Sequence, residues 1–117
     1  MNKDCAVYKS ADVIGKKWTL LILLELYKGE KWKRYTKLKN KLMNITPKIL
    51  SARLKELEKY KLIEKKVDNR EFPIKSEYSL TKSGEEFIKV IEEMKKWSVK
   101  WGGESACKNK ECKYCDF

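Results

Sequence analysis

Cys107, Cys112 and Cys115 form a C-x4-C-x2-C arrangement near the end of the chain, three thiols within nine residues, and Cys5 places a fourth near its start. Thiolates at this spacing suit a tetrahedral zinc site. They also suit an iron–sulfur cluster, since C-x4-C-x2-C occurs in plant-type ferredoxins with a fourth cysteine further along. The sequence has no histidine, so any metal held here rests on thiolates. The plainer alternative is a tail of idle thiols and a buried Cys5. Little else offers covalent chemistry. There is no Gly-rich phosphate loop, no carboxylate pair in an apolar setting, and no general base for a thiol enzyme. The chain is therefore expected not to be an enzyme.

The charges point to binding instead. Among 117 residues, 28 Lys and Arg stand against 17 Asp and Glu, a net charge of +11. Residues 31–66 hold 13 basic and 3 acidic side chains, a net of +10, whereas residues 1–30 hold 5 and 4, and residues 67–117 hold 10 and 10. A merely Lys-rich composition does not predict that localisation. A basic centre between neutral flanks fits a polyanionic partner.

The length suits one domain, read as residues 1–103, with a cysteine-bearing tail over 104–117. Charges break up the first 18 residues before an apolar core develops, so no secretory signal is expected. The longest apolar run, Leu20 to Leu24, is far short of the ~18 residues of a membrane span. A cytoplasmic location without a membrane partner is the expectation, with the cysteines as thiols or metal ligands rather than disulfides.

The elements that must position these residues are mostly helical. Residues 16–27 (KKWTLLILLELY) read as a buried helix closed by Lys28 and Gly29, with a shorter helix over 10–14 before it. Tyr35, Leu38 and Leu42 recur at helical spacing within 34–42. Residues 43–45 look like a turn. Thr46 then caps a helix whose first position, Pro47, needs no N–H, and which runs to about Lys59. Two helices joined by a three-residue turn form a helix-turn-helix. Residues 62–67 and 76–80 read as strands of an antiparallel hairpin, the wing, with a turn-like tip around residues 68–71. Thr81 caps a last helix from Lys82 to Trp101, ended by Gly102 and Gly103. The expected fold is mainly α with a small antiparallel β-hairpin, a winged helix-turn-helix.

At 100° per residue, Leu54 and Leu57 fall within about 40° of Leu50, with Ile49 and Arg53 flanking this core stripe. Lys48, Ser51, Ala52, Lys55 and Lys59 lie opposite. Small residues between cations allow close approach to the major groove of double-stranded DNA. Lys48 can donate to guanine, Ser51 can donate or accept, and Ala52 can touch a thymine methyl. Thr46, Pro47 and the free N–H groups of the first turn suit a phosphate. Lys31, Lys33, Arg34, Lys37 and Lys39, with Arg53, are expected on the DNA backbone, and Asn69 and Arg70 at the wing tip in the minor groove. An RNA-binding winged helix is the alternative. It would favour stacking aromatics on the basic face, for which only Trp32 and Tyr35 are placed, and Tyr35 has a core role.

The chain resembles the HxlR-type family of bacterial and archaeal winged-helix regulators. Cys5-Ala6-Val7, with Asp12-Val13-Ile14-Gly15-Lys16-Lys17-Trp18, is similar to the family's opening C-P-V…D-V-I-G-G-K-W. Arg34-Tyr35 to Leu38 resembles R-F-x-x-L, and ITPKILSARLKEL over 45–57 resembles its recognition helix. Pro73 with Glu77-Tyr78-Ser79-Leu80-Thr81 and Gly84 resembles P…V-E-Y-x-L-T-x-x-G. Ala6 replaces a proline, Lys16 a glycine, and Lys61 stands where glycine is common. The resemblance implies a homodimer on an inverted-repeat operator, with no effector implied. It also implies a redox switch as a third role for the thiols, since some relatives sense oxidants through the cysteine matching Cys5. The dimer is expected to use Val7 and Trp18 with Phe87, Val90, Ile91, Met94, Trp97 and Trp101, an apolar stripe wider than one small domain needs.

Overall fold

Two threonine caps frame the molecule, a computed structural model that describes residues 2–70, 72 and 74–102. Thr46 Oγ1 accepts from the Ile49 N–H at 3.2 Å and starts α4 (Pro47–Lys59). Thr81 Oγ1 accepts from the Gly84 N–H at 3.2 Å and starts α5 (Lys82–Trp101). Before α4 come α1 (Ala6–Ile14), α2 (Lys17–Tyr27), β1 (Lys33–Arg34) and α3 (Tyr35–Lys41); β2 (Ile63–Asp68) and β3 (Lys75–Leu80) follow it. The helices and the hairpin lie where the sequence predicts them. The difference is β1. Its two residues pair antiparallel with β3, Lys33 opposite Tyr78, and make a three-stranded sheet in the order β1-β3-β2. A charged dipeptide is too short to show the period of two that marks a strand.

Leu50, Leu54 and Leu57 of α4 are buried against Ile22, Leu23 and Leu26 of α2 and Leu38 of α3, with Tyr78 and Leu80 of β3 and Ile88 of α5 in the same core. The outward face of α4 is thus defined by what its other face buries.

The exit from α4 is a Schellman turn. The Leu62 N–H donates to the Leu57 carbonyl and the Lys61 N–H to the Glu58 carbonyl, both at 3.0 Å. Lys61 takes the left-handed conformation, φ 63°, which glycine adopts without penalty and lysine adopts at about 1 kcal/mol. The strain is held by what packs on the turn. Thr81 Oγ1 donates to the Lys61 carbonyl at 2.6 Å, and the Thr81 N–H to the Leu62 carbonyl at 3.1 Å. A Cβ on Gly84 would collide with that same Leu62 oxygen. The start of α5 is therefore seated directly on the end of α4.

One expected DNA contact is overturned here. Lys33 is 3 % exposed, because the pairing with Tyr78 turns its side chain to the core face. Its ammonium donates to the carbonyls of Leu26 at 3.2 Å, Glu30 at 2.8 Å and Lys28. It caps the C-terminal end of α2, where carbonyls lack helical partners and a cation meets the negative end of the helix dipole. Burial pushes its pKa down, partly offset by Glu25.

Candidate nucleic-acid interface

The outer face of α4 carries Lys48, Lys55 and Lys59, all exposed, with Ser51 and Ala52 half-buried between them. These positions recur at three- and four-residue spacing, so they share one face. Thr46 spends an oxygen lone pair on its cap and keeps its hydroxyl proton for donation. Tyr35 supports the helix from α3. Its hydroxyl donates to the Pro47 carbonyl at 3.4 Å and lies 3.4 Å from Ser51 Oγ.

Arg53 does not face outward as a free phosphate contact. Its guanidinium is 2.6 Å from Glu56 Oε1, and Lys16 at the start of α2 reaches the same carboxylate at 3.1 Å. Burial works against the charge on Glu56, but the hydrogen bonds from Arg53 and Lys16 outweigh it and hold its pKa below the usual carboxylate value. The lysine that replaces a family glycine thus ties the first turn of α2 to the recognition helix.

Along α3 and β1, Lys31, Arg34 and Lys37 are exposed and Lys39 is half-buried. Lys37 Nζ lies 3.9 Å from Glu30, a long surface pair. Arg34 and Lys37 line a polar cleft of about 690 Å³ with Trp32, Thr36 and Lys41. Lys66 covers the Trp32 ring at 4.5 Å, and Tyr35 is half-buried. Neither aromatic offers the open face that base stacking in RNA requires. At the wing, Asn69 is exposed, but Arg70 is held by Asp68, Nε to Oδ1 at 3.1 Å and a terminal nitrogen to Oδ2 at 3.2 Å.

A second surface is formed by α1 and α5. An open groove of about 810 Å³ runs between α1 and α5, lined by Val7, Ile14, Leu20, Phe87, Val90 and Met94 among others. Val7, Val90, Met94, Trp97 and Trp101 are exposed. Three residues expected in a dimer contact behave otherwise. Ile91 is buried in its own domain's core, and Phe87 and Trp18 are half-buried against it. The stripe on α5 is wide because one edge of it serves the core.

Cys5 stands at the N-cap of α1 and is exposed, not buried. The backbone N–H groups of Tyr8 and Val7 hold its thiol below the usual pKa. Cys107, Cys112 and Cys115 lie outside the described residues. Among the described residues no cluster of three His, Cys, Asp or Glu side chains is placed to hold a metal ion. No helix among them is long and apolar enough to cross a membrane.

Two helices joined by a tight turn, a strand hairpin directly behind, and lysines directed away from the core make this a winged helix-turn-helix protein that binds DNA. The chain belongs to the HxlR-like helix-turn-helix family, whose model matches residues 13–106. It is similar to the HTH-type transcriptional regulator YdzF of Bacillus subtilis (strain 168), 44% identical over 102 residues that cover 87% of this chain and 92% of YdzF. The reduced form of the transcriptional regulator YodB from B. subtilis matches with a TM-score of 0.72 at 34% identity, over 86% of this chain and 98% of that one. YodB's quinone-bound form matches at 0.70 and 31%, over 83% and 99%. The redox regulator HypR in its oxidised form matches at 0.72 and 29%, over 87% and 100%. The protein is accordingly a DNA-binding transcriptional regulator.

Proposed function

We propose that the protein works as a homodimer paired through α1 and α5 on an inverted-repeat operator, and that Cys5 makes its DNA binding responsive to electrophiles and oxidants. The exposed apolar side chains of Val7, Val90, Met94, Trp97 and Trp101 carry the dimer reading. A patch of this kind is costly in a monomer and ordinary at an interface. A two-fold pair would set its recognition helices about 34 Å apart, one turn of the duplex. Glutamate at both Val90 and Met94 turns the dimer into a monomer in sedimentation velocity while the far-ultraviolet spectrum stays unchanged, because both side chains are exposed. A dimer that survives both glutamates removes the interface from α5.

Cys5 precedes Ala6, the first residue lining the α1–α5 groove. A lowered pKa raises the thiolate fraction, the reactive form. The thiolate adds to a quinone carbon and the ring takes up a proton. The group added would sit at the edge of the proposed interface. Treatment with benzoquinone then yields an adduct located at Cys5 by peptide mass spectrometry and weakens operator binding, and Cys5→Ser removes that adduct and the loss of binding. Equal sensitivity in the Ser variant excludes Cys5. Stoichiometric zinc or iron in anaerobically purified protein would assign the thiols to a metal instead.

A further inference from the structure

Tyr35 opens α3 and stands where the family pattern has phenylalanine. The two side chains differ by one hydroxyl. Here that hydroxyl lies against α4, 3.4 Å from the Pro47 carbonyl and 3.4 Å from Ser51 Oγ. Both distances are long for a hydroxyl, so the contacts orient more than they stabilise.

The number of protons fixes which way each bond runs. A tyrosine hydroxyl has one proton to give and lone pairs to receive. A carbonyl only accepts, so the Tyr35 proton goes to Pro47. The contact between Tyr35 and Ser51 then requires Ser51 to donate. A serine within a helix ordinarily turns its proton to the carbonyl four residues back, and for Ser51 that carbonyl is the one to which Tyr35 donates. Either inward partner takes the same proton. Ser51 keeps only lone pairs for its outer side. It is half-buried, three residues after Lys48 and four before Lys55, in the middle of the face they share.

We propose that Tyr35 is a positioning residue for base readout: by holding the Ser51 proton inward it makes Ser51 an acceptor, which selects the exocyclic amino group of adenine or cytosine in the major groove. Adenine N6 and cytosine N4 are donors there, whereas guanine O6 and thymine O4 are acceptors. Guanine or thymine at that place sets oxygen lone pairs against oxygen lone pairs. This rests on the reading that α4 lies in the major groove of an inverted-repeat operator, so the preference falls once in each half-site. The sequence alone leaves Ser51 free to donate or accept; the tyrosine removes one of the two.

An operator duplex selected from a random pool, and every single base-pair change in it, is titrated with full-length wild type, Tyr35→Phe and Ser51→Ala. Wild type favours adenine or cytosine over guanine or thymine by about tenfold at one position of each half-site, the scale of one hydrogen bond lost with its acceptor left unpaired. Deleting the amino group of that base, with purine for adenine or 2-pyrimidinone for cytosine, costs wild type a similar factor. Ser51→Ala levels the position. Tyr35→Phe keeps its ring in place, melts with wild type and holds every other preference, but falls to about twofold at this position, because the serine proton can swing out to a base carbonyl. A wild-type preference for guanine or thymine at the position that Ser51→Ala levels overturns the proposal, since the serine would then be the donor. So does a Tyr35→Phe protein that keeps every preference, or one that weakens equally on all duplexes, as loss of a phosphate contact or of packing would make it do. Lys48→Ala with Lys55→Ala, run in parallel, tests α4 separately. Wild-type affinity there rejects α4 as the reading helix; weakened binding there, with preferences unmoved in Tyr35→Phe, rejects the role of Tyr35 alone.

Discussion

Alanine at Lys48 and Lys55 together lowers affinity for an operator duplex, selected from a random pool, by about 100-fold, while thermal midpoint and oligomeric state stay unchanged. The two lysines are seven residues apart on one exposed face of α4, two helical turns, so one duplex can meet both. Neither takes part in an ion pair or hydrogen bond among the described residues, so their removal leaves no buried partner unsatisfied. A good side-chain contact to a base edge carries about 1–3 kcal/mol of discrimination, and two at the lower half of that range give the stated loss. The salt dependence separates the roles. A lysine on phosphate takes about one from the slope of log affinity against log salt, whereas a lysine on a base relaxes sequence preference with less change in slope. Wild-type affinity in the double variant would remove α4 from the DNA.

This face can lose its lysines without loss of fold because α4 is held elsewhere. Leu50, Leu54 and Leu57 anchor its inner side, Glu56 ties it to Lys16, and the Schellman turn seats its end beneath Thr81. These last two ties lead to the elements of the proposed dimer contact, Lys16 following α1 and Thr81 opening α5. A change in how two copies meet would therefore move the recognition helix as a body with α5 rather than bend it.

What could be read from the sequence depended on how local its cause was. The recognition helix was legible because Thr46, Pro47 and the leucine stripe are signals within one turn of what they determine. The same holds for Thr81 and α5. The reach of Lys16 to Glu56 was not, since it needs a side chain 40 residues away brought alongside by packing. Lys61 stands where glycine is common, and the strain it carries there shows only in its φ. The even charge balance of the wing, four Lys and Arg against four Asp and Glu over residues 63–80, is plain in the sequence, whereas the alignment of Ile63, Lys65 and Val67 on one face emerges only from the register. Lys33 was misplaced because a two-residue strand decides its face, and no pattern that short distinguishes a core-facing lysine from its outward neighbour Arg34.

Lys33 is accordingly where a substitution should damage the fold and spare the interface. Methionine keeps the length and apolar stem of the side chain but removes its donors. The carbonyls of Leu26, Lys28 and Glu30 lose a buried partner, and the buried Glu25 carboxylate keeps only Lys28, at 3.3 Å, of the two nearby cations. At about 1 kcal/mol for each hydrogen bond, Lys33→Met loses about 3 kcal/mol of stability, a fall of roughly 10–15 °C in midpoint for a domain of this size. Below that midpoint the folded protein binds operator DNA as wild type does, because the ammonium never reached the surface. Lys37→Met should show the opposite pattern, since its side chain is exposed and its pair with Glu30 is long: an unchanged midpoint, weaker binding and a shallower salt slope. Thermal melts and anisotropy titrations on the two variants decide the matter together. A Lys33→Met protein that melts with wild type but binds DNA more weakly would return Lys33 to the DNA face and remove the cap from α2.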